Sequence, residues 1–336
     1  MPGISLEARR ERLRLAAPFR ISGYVFEEME VVVVTVSDGA HHGRGEGGGA
    51  YYLGDDADHM MADIEAARGG IEAGIDRAGL LALMPPGGGR NAVDCALWEL
   101  EASRNAMPAW RLSGIEAPRP LVTTFTLGAD DPAIMAEGAR AYRDARAIKV
   151  KLTGEIELDL ERVQAVRAAR PDVWLGVDAN QGYSIGKLPA LVRGLCEHRV
   201  LLLEQPLPRG HEAHLEGFDS PIPIAADESI LSLEELARAA GRFDVVNIKL
   251  DKCGGLTEGL MMVNEARRLG LEVMVGTMIG TSLATAPAFI LAQQCAIVDL
   301  DGPTFLVRDR LPAVSYRDGA LFAGDDVWGA PSVVAA

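Results

Sequence analysis

The sequence predicts an α/β fold: a (β/α)8-type barrel carrying an N-terminal α+β capping domain. Three observations lead there. After residue 120, eight short apolar runs alternate with segments of helical period, the rhythm of βα units. Five of these runs in succession end on a lysine or an acid, and the carboxyl ends of strands are where such barrels carry their chemistry. Before residue 116 the order is a few strands followed by helices. The proline pair in Glu116-Ala117-Pro118-Arg119-Pro120 suits an extended connection between the two parts. The expected division is a capping domain over residues 1–115, a barrel over 120–310 and a tail over 311–336 that returns to the cap.

A chain of 336 residues, 48% apolar, can bury cores of this size. Its formal net charge of −15 speaks against nucleic acid or an anionic membrane as partner, though not against an anionic small molecule in a locally basic pocket. Cys95, Cys196, Cys253 and Cys295 lie far apart with no CxxC pair, so neither a zinc site nor a disulfide framework is signalled. Residues 1–15 hold no hydrophobic leader segment, and no apolar run reaches membrane-spanning length, so a soluble cytoplasmic protein is expected. The oligomeric state stays open, a homo-oligomer included.

Taken in order, residues 4–15 and 30–36 read as strands, with 19–29 as a loop between them. The glycine run 43–49 lacks the Lys-Ser/Thr of a phosphate loop and reads as a flexible turn beside Tyr51 and Tyr52, with His41 and His42 as exposed loop residues. Helical regions follow over 56–84 and 91–103, separated by Pro85-Pro86-Gly87-Gly88-Gly89. In the barrel the expected strands are 121–127, 147–152, 173–178, 200–204, 222–227, 245–249, 271–276 and 295–300. Helices are expected between them, including 232–241 and a shorter segment over 211–218.

Lys149 and Lys151 stand two apart on one strand and so share a face, where two ammonium groups repel unless anions lie near. The next three strands supply them at their ends as Asp178, Glu204 and Asp227, and the following one ends on Lys249. Three converging carboxylates call for a divalent cation, and all-oxygen ligation favours Mg²⁺. Any one of these residues alone is explained by a strand-end salt bridge; five at consecutive strand ends are not.

On Lys149-Val150-Lys151, Val177-Asp178-Ala179-Asn180, Leu203-Glu204-Gln205-Pro206, Ala226-Asp227-Glu228-Ser229 and Asn247-Ile248-Lys249, the chain resembles the muconate lactonizing subgroup of the enolase superfamily over essentially its whole length. The resemblance implies Asp178, Glu204 and Asp227 as Mg²⁺ ligands, Lys151 and Lys249 as the acid/base pair, and Lys149 as positive charge beside an enolate. Cationic neighbours are expected to poise the base near neutral pKa. Asp299-Leu300-Asp301 resembles the Asp-x-Asp of the dipeptide epimerases, where it receives the substrate ammonium. That motif and residues 90–98 look especially like bacterial L-Ala-D/L-Glu epimerases. The implied activity is epimerisation of the C-terminal residue of a dipeptide. The alternatives are an N-acylamino acid racemase or o-succinylbenzoate synthase and, from another class, a non-catalytic metal- or solute-binding barrel. Thr126 is a further substrate contact by the same resemblance. Where Ala-Glu epimerases place an arginine for the substrate side chain, this chain has Phe26, with Arg20 near enough to substitute and Glu27 or Glu28 as cation-selecting alternatives.

Overall fold

In the computed structural model, which describes residues 3–330, the chain opens with a long antiparallel hairpin. Strands β1 (Ser5–Ile21) and β2 (Tyr24–Ser37) pair from Ser5↔Ser37 to Ile21↔Tyr24, and β3 (His42–Gly47) pairs with the second half of β2. Residues 19–29 are therefore the tip of a hairpin and not a loop. The register shifts between Arg14↔Glu28 and Phe19↔Phe26, a bulge that re-aims the tip. The glycine run is not a flexible turn either, because Gly43, Gly45 and Gly47 lie on one face of β3 against a helix. A Cβ at any of them would fall 2.0–2.1 Å from the carbonyl oxygen of Ala96, Ala92 or Gly88. Period-two glycine here marks close backbone approach.

The helical part of the cap is α1 (Ala57–Glu72), α2 (Arg77–Leu83), α3 (Gly88–Arg104) and the short α4 (Ala109–Leu112). The single helical region expected over 56–84 is thus two helices. Asp76 restarts the second by accepting from the Gly79 amide, as Asp56 starts the first from His59.

The first barrel run is broken at Thr123 into β4 (Leu121–Val122) and β5 (Thr124–Leu127), which leads to α5 (Pro132–Ala141). Then come β6 (Ala147–Lys151), α6 (Ile156–Ala169), β7 (Trp174–Asp178), α7 (Leu188–Glu197), β8 (Leu202–Glu204) and β9 (Ile224–Ala226). β10 (Val245–Lys249) runs directly into α8 (Leu250–Cys253) and α9 (Leu256–Arg268), and β11 (Glu272–Gly276), α10 (Ser282–Ala292) and β12 (Ile297–Asp299) complete the set. After β8 and β9 only 3-10 turns form, at Glu212–Leu215 and Leu233–Arg238, each followed by a glycine at positive φ, Gly217 and Gly241.

Strands β5 to β12 form one eight-stranded parallel sheet in sequence order. Side chains bridge its seam: the Leu300 amide donates to Thr123 Oγ1 at 2.9 Å, and the Thr126 amide to Asp301 Oδ2 at 2.6 Å. Inside, Leu202, Ala225, Val245 and Met274 form an apolar floor with Trp174 and Ile297. Two or four residues further along the same strands, the same inward face carries Asp178, Glu204, Asp227, Lys249 and Asp299. The barrel thus has a dry floor and a charged mouth. In the tail, β13 (Ser315–Arg317) pairs with β14 (Ala320–Phe322), and β14 pairs with β4. The chain then reaches the cap, where Trp328 Nε1 donates to the Arg44 carbonyl at 2.9 Å. No described helix is long and apolar enough to cross a membrane.

Candidate active site

Six strands bring the charged residues together at the mouth. Asp178, Glu204 and Asp227 are buried and offer carboxylate oxygens within 4.8 Å of one another. Each has one oxygen fixed by a scaffold donor: the Asn180 amide at 2.9 Å from Asp178, Asn247 Nδ2 at 2.6 Å from Glu204, and Lys252 Nζ at 2.7 Å from Asp227. The second oxygens face lysines. Lys151 Nζ lies 2.5 Å from Asp178, Lys149 Nζ 3.4 Å from Glu204 and Lys249 Nζ 2.7 Å from Asp227. Lys149 also meets Asp299.

This donor set fits a small hard cation. All three ligand groups are carboxylates, each pre-oriented by its scaffold donor. Beside them, Asn180 Oδ1, Asn247 Oδ1 and Glu228 Oε2 are buried without a protein partner. Burial and the nearby charges of Asp178 and Asp227 push the Glu204 carboxyl up to about 7. Burial followed by Asp227 pushes Glu228 up to about 8. Negative charge is in excess here, the condition a divalent cation relieves.

Lys249 and Lys149 are not lowered toward neutral, the shift that the sequence led us to expect of the base. Burial pulls Lys249 down, but Asp227, Glu204 and Asp178 outweigh it and hold the ammonium well above its ordinary range. The same opposition, with Asp299 strongest among the carboxylates, raises Lys149. A cation that neutralised these carboxylates would weaken that pull, so base strength at the lysines is coupled to cation binding.

Asp299 ends β12 and Asp301 follows it as the first residue of a turn. Burial raises Asp299, but Lys149 and then Thr124 more than compensate, and its carboxyl is lowered. At Asp301 burial and the Asp299 charge outweigh Thr126 and Lys149 and push it up to about 7. Thr126, Lys149, Lys151, Lys249, Asp299 and Asp301 all line one pocket at the barrel mouth. The hairpin tip roofs it, and Phe26 lines it while Glu27 and Glu28 do not.

Arg20 is a correction. It is exposed, pairs with Asp130 at 3.3 Å and lines a neighbouring groove instead of the pocket. Strand alternation explains this, since Phe19 and Ile21 take the pocket side and leave Arg20 on the other. Sequence reasoning also passed over Asn180, Asn247, Glu228, Lys252 and Tyr51. Asn247 was findable, standing two before Lys249 and so on its face. Lys252 lies one helical turn past Lys249, a signal that needs knowledge that β10 passes straight into α8.

A family model described as Enolase C-terminal domain-like matches residues 134–319. The chain is 39% identical over 307 residues to the L-Ala-D/L-Glu epimerase of Escherichia coli K12, covering 91% of this chain and 96% of that one. Among solved structures it superposes, with a TM-score of 0.92 and 40% identity, on an enolase family member from Agrobacterium tumefaciens with homology to dipeptide epimerases. That structure holds sodium and L-Ala-L-Glu, and 97% of this chain and 100% of that one are covered. The dipeptide epimerase of Methylococcus capsulatus, complexed with Mg and L-Arg-D-Lys, aligns with a TM-score of 0.91 at 28% identity over 98% and 99% of the two chains.

Proposed function

The chain belongs to the enolase superfamily, and from that membership we propose that it is a Mg²⁺-dependent dipeptide epimerase, an isomerase that inverts the α-carbon of the C-terminal residue. The observation that carries this is the set of two lysines flanking three clustered carboxylates, with a second acidic pair, Asp299 and Asp301, across the same pocket. In this reading Asp178, Glu204 and Asp227 hold the metal. When bound, it supplies Lewis-acid stabilisation of charge on the substrate carboxylate.

The rest falls to side chains. A neutral Lys151 takes the α-proton from one face and becomes an ammonium, leaving the electron pair delocalised into the carboxylate. The Lys249 ammonium returns a proton to the opposite face and becomes neutral, and the other epimer uses the two in reverse. Lys149 offsets the charge as it develops. Asp299 and Asp301 receive the substrate ammonium, and Thr126 stands beside them. Residues 1–115 cap the barrel and supply the roof that sets specificity. The substrate is a free small molecule, and we place the enzyme in the cytoplasm.

The test is α-proton exchange in D2O with a panel of L-Ala-L-Xaa dipeptides. Deuterium should enter with inversion, vanish on chelation and return with Mg²⁺. Replacing Lys151 or Lys249 by Ala should slow epimerisation in both directions by roughly 10²–10⁴-fold. The remaining lysine should still exchange the α-proton of one epimer. Exchange of both epimers in a single-lysine variant would rule out the two-base scheme.

A further inference from the structure

The dipeptide reading fixes the directions around the reacting carbon. Its carboxylate faces Asp178, Glu204 and Asp227, its proton lies between Lys151 and Lys249, and its amide runs toward Asp299 and Asp301. A tetrahedral carbon has one direction left, out of the barrel and under the hairpin. That roof is apolar. Ile21, Phe26 and Met29 come from the hairpin, and Tyr51 from the 3-10 turn Tyr51–Leu53. The Tyr51 ring meets Phe26 edge-on at 5.1 Å, and Tyr24 stacks on Phe26 at 5.9 Å, which locks the two rings in place. Phe26, Met29 and Tyr51 line one pocket with Lys151 and Lys249, so this wall belongs to the cavity that holds the reacting carbon.

That wall offers no cation to a substrate carboxylate. The cations lining the pocket are Lys149, Lys151 and Lys249, each held by a carboxylate. Arg20 turns to Asp130 outside it. A substrate carboxylate under Phe26 would lose water without gaining a partner.

Resting on the dipeptide reading, we infer that this enzyme selects an uncharged apolar side chain, aliphatic or aromatic, on the residue it epimerises, with Phe26 and Tyr51 as the residues that set the preference. The experiment is kcat/KM for α-proton exchange with L-Ala-L-Leu, L-Ala-L-Phe, L-Ala-L-Glu and L-Ala-L-Lys. Burial of a leucyl or phenyl side chain should favour the first two by on the order of 10- to 100-fold. Phe26→Arg should reverse the order between Ala-Leu and Ala-Glu. Phe26→Leu, which keeps the wall apolar, should retain the wild-type order. Wild-type preference for Ala-Glu or Ala-Lys overturns this inference alone and leaves the dipeptide reading standing. So does a Phe26→Arg enzyme that exchanges the panel in the wild-type order. No exchange with any dipeptide overturns the dipeptide reading and this inference with it.

Discussion

At Asp301 two effects push the same way: burial and the adjacent Asp299 charge both favour the protonated acid, raising it to about 7. Only the ionised form attracts a substrate ammonium. Ionisation grows as pH rises through about 7, so kcat/KM for free dipeptides should fall on acidification below that value, approaching tenfold per pH unit. Asp301→Asn should remove this acid limb and lower kcat/KM for free dipeptides by roughly 10- to 100-fold, the worth of a charge-assisted hydrogen bond. N-acetylated substrates, which carry no ammonium, should lose far less. A pH series with both substrate types checks it, and equal losses would mean that Asp301 serves only the seam beside Thr126. The residues legible in the sequence were those that strand periodicity places on one face, Lys149 with Lys151 and the strand-end acids. Asn180, Glu228 and Lys252 lie past strand ends, where period two no longer applies and only the fold shows their direction.

At the scale of elements, β3 and α3 fit by matched spacing. Every second residue of a strand advances about 6.6 Å, and every fourth residue of a helix about 6.0 Å. Gly43, Gly45 and Gly47 therefore meet Ala96, Ala92 and Gly88 one after another, and each contact is with backbone that cannot swing aside. Gly45→Ala should cost about 3 kcal/mol, the upper end for overpacking. Gly69 is exposed in α1, with nothing within 4 Å of an added Cβ, so Gly69→Ala should stabilise by about 0.5–1 kcal/mol. Urea denaturation of the two variants reads both signs; a harmless Gly45→Ala would refute the close approach. The strand was hard to read because glycine is the commonest turn residue, yet its alternation with Arg44 and Glu46 carried the period of two. The apolar βα rhythm was plain because parallel strands are buried on both faces. The hairpin tip was not, since the register shift between Arg14 and Phe19 and the Ser22-Gly23 turn interrupt its alternation.

Across the whole molecule, cap and barrel are joined by buried polar contacts that converge behind the β10–α8 connection, which carries Lys249. From α3, Arg90 donates to the carbonyls of Cys253 at 2.6 Å and Gly254 at 3.2 Å and pairs with Glu258. Asn91 donates to Asp251 at 2.9 Å, as does the Gly48 amide, and Asp94 accepts from the Thr257 hydroxyl at 2.6 Å. On the other side Glu46 accepts from Thr281 and Arg310. A seam built this way is unstable when half broken, because each opened contact leaves a buried group unpaired. Cap and barrel should therefore unfold in one transition, seen alike by the fluorescence of Trp98 in a variant whose Trp110, Trp174 and Trp328 are replaced by Phe, and by far-ultraviolet dichroism dominated by the barrel. Arg90→Met strands the Glu258 carboxylate and should cost about 3–5 kcal/mol. Glu258→Gln placed on top should recover part of that loss, since a neutral amide needs no cation. The double-mutant cycle should show at least ~1 kcal/mol of coupling. Additive losses, or an Arg90→Met protein whose two probes report separate midpoints with the barrel signal unshifted, would mean that the cap rests on the barrel without holding the segment that carries Lys249.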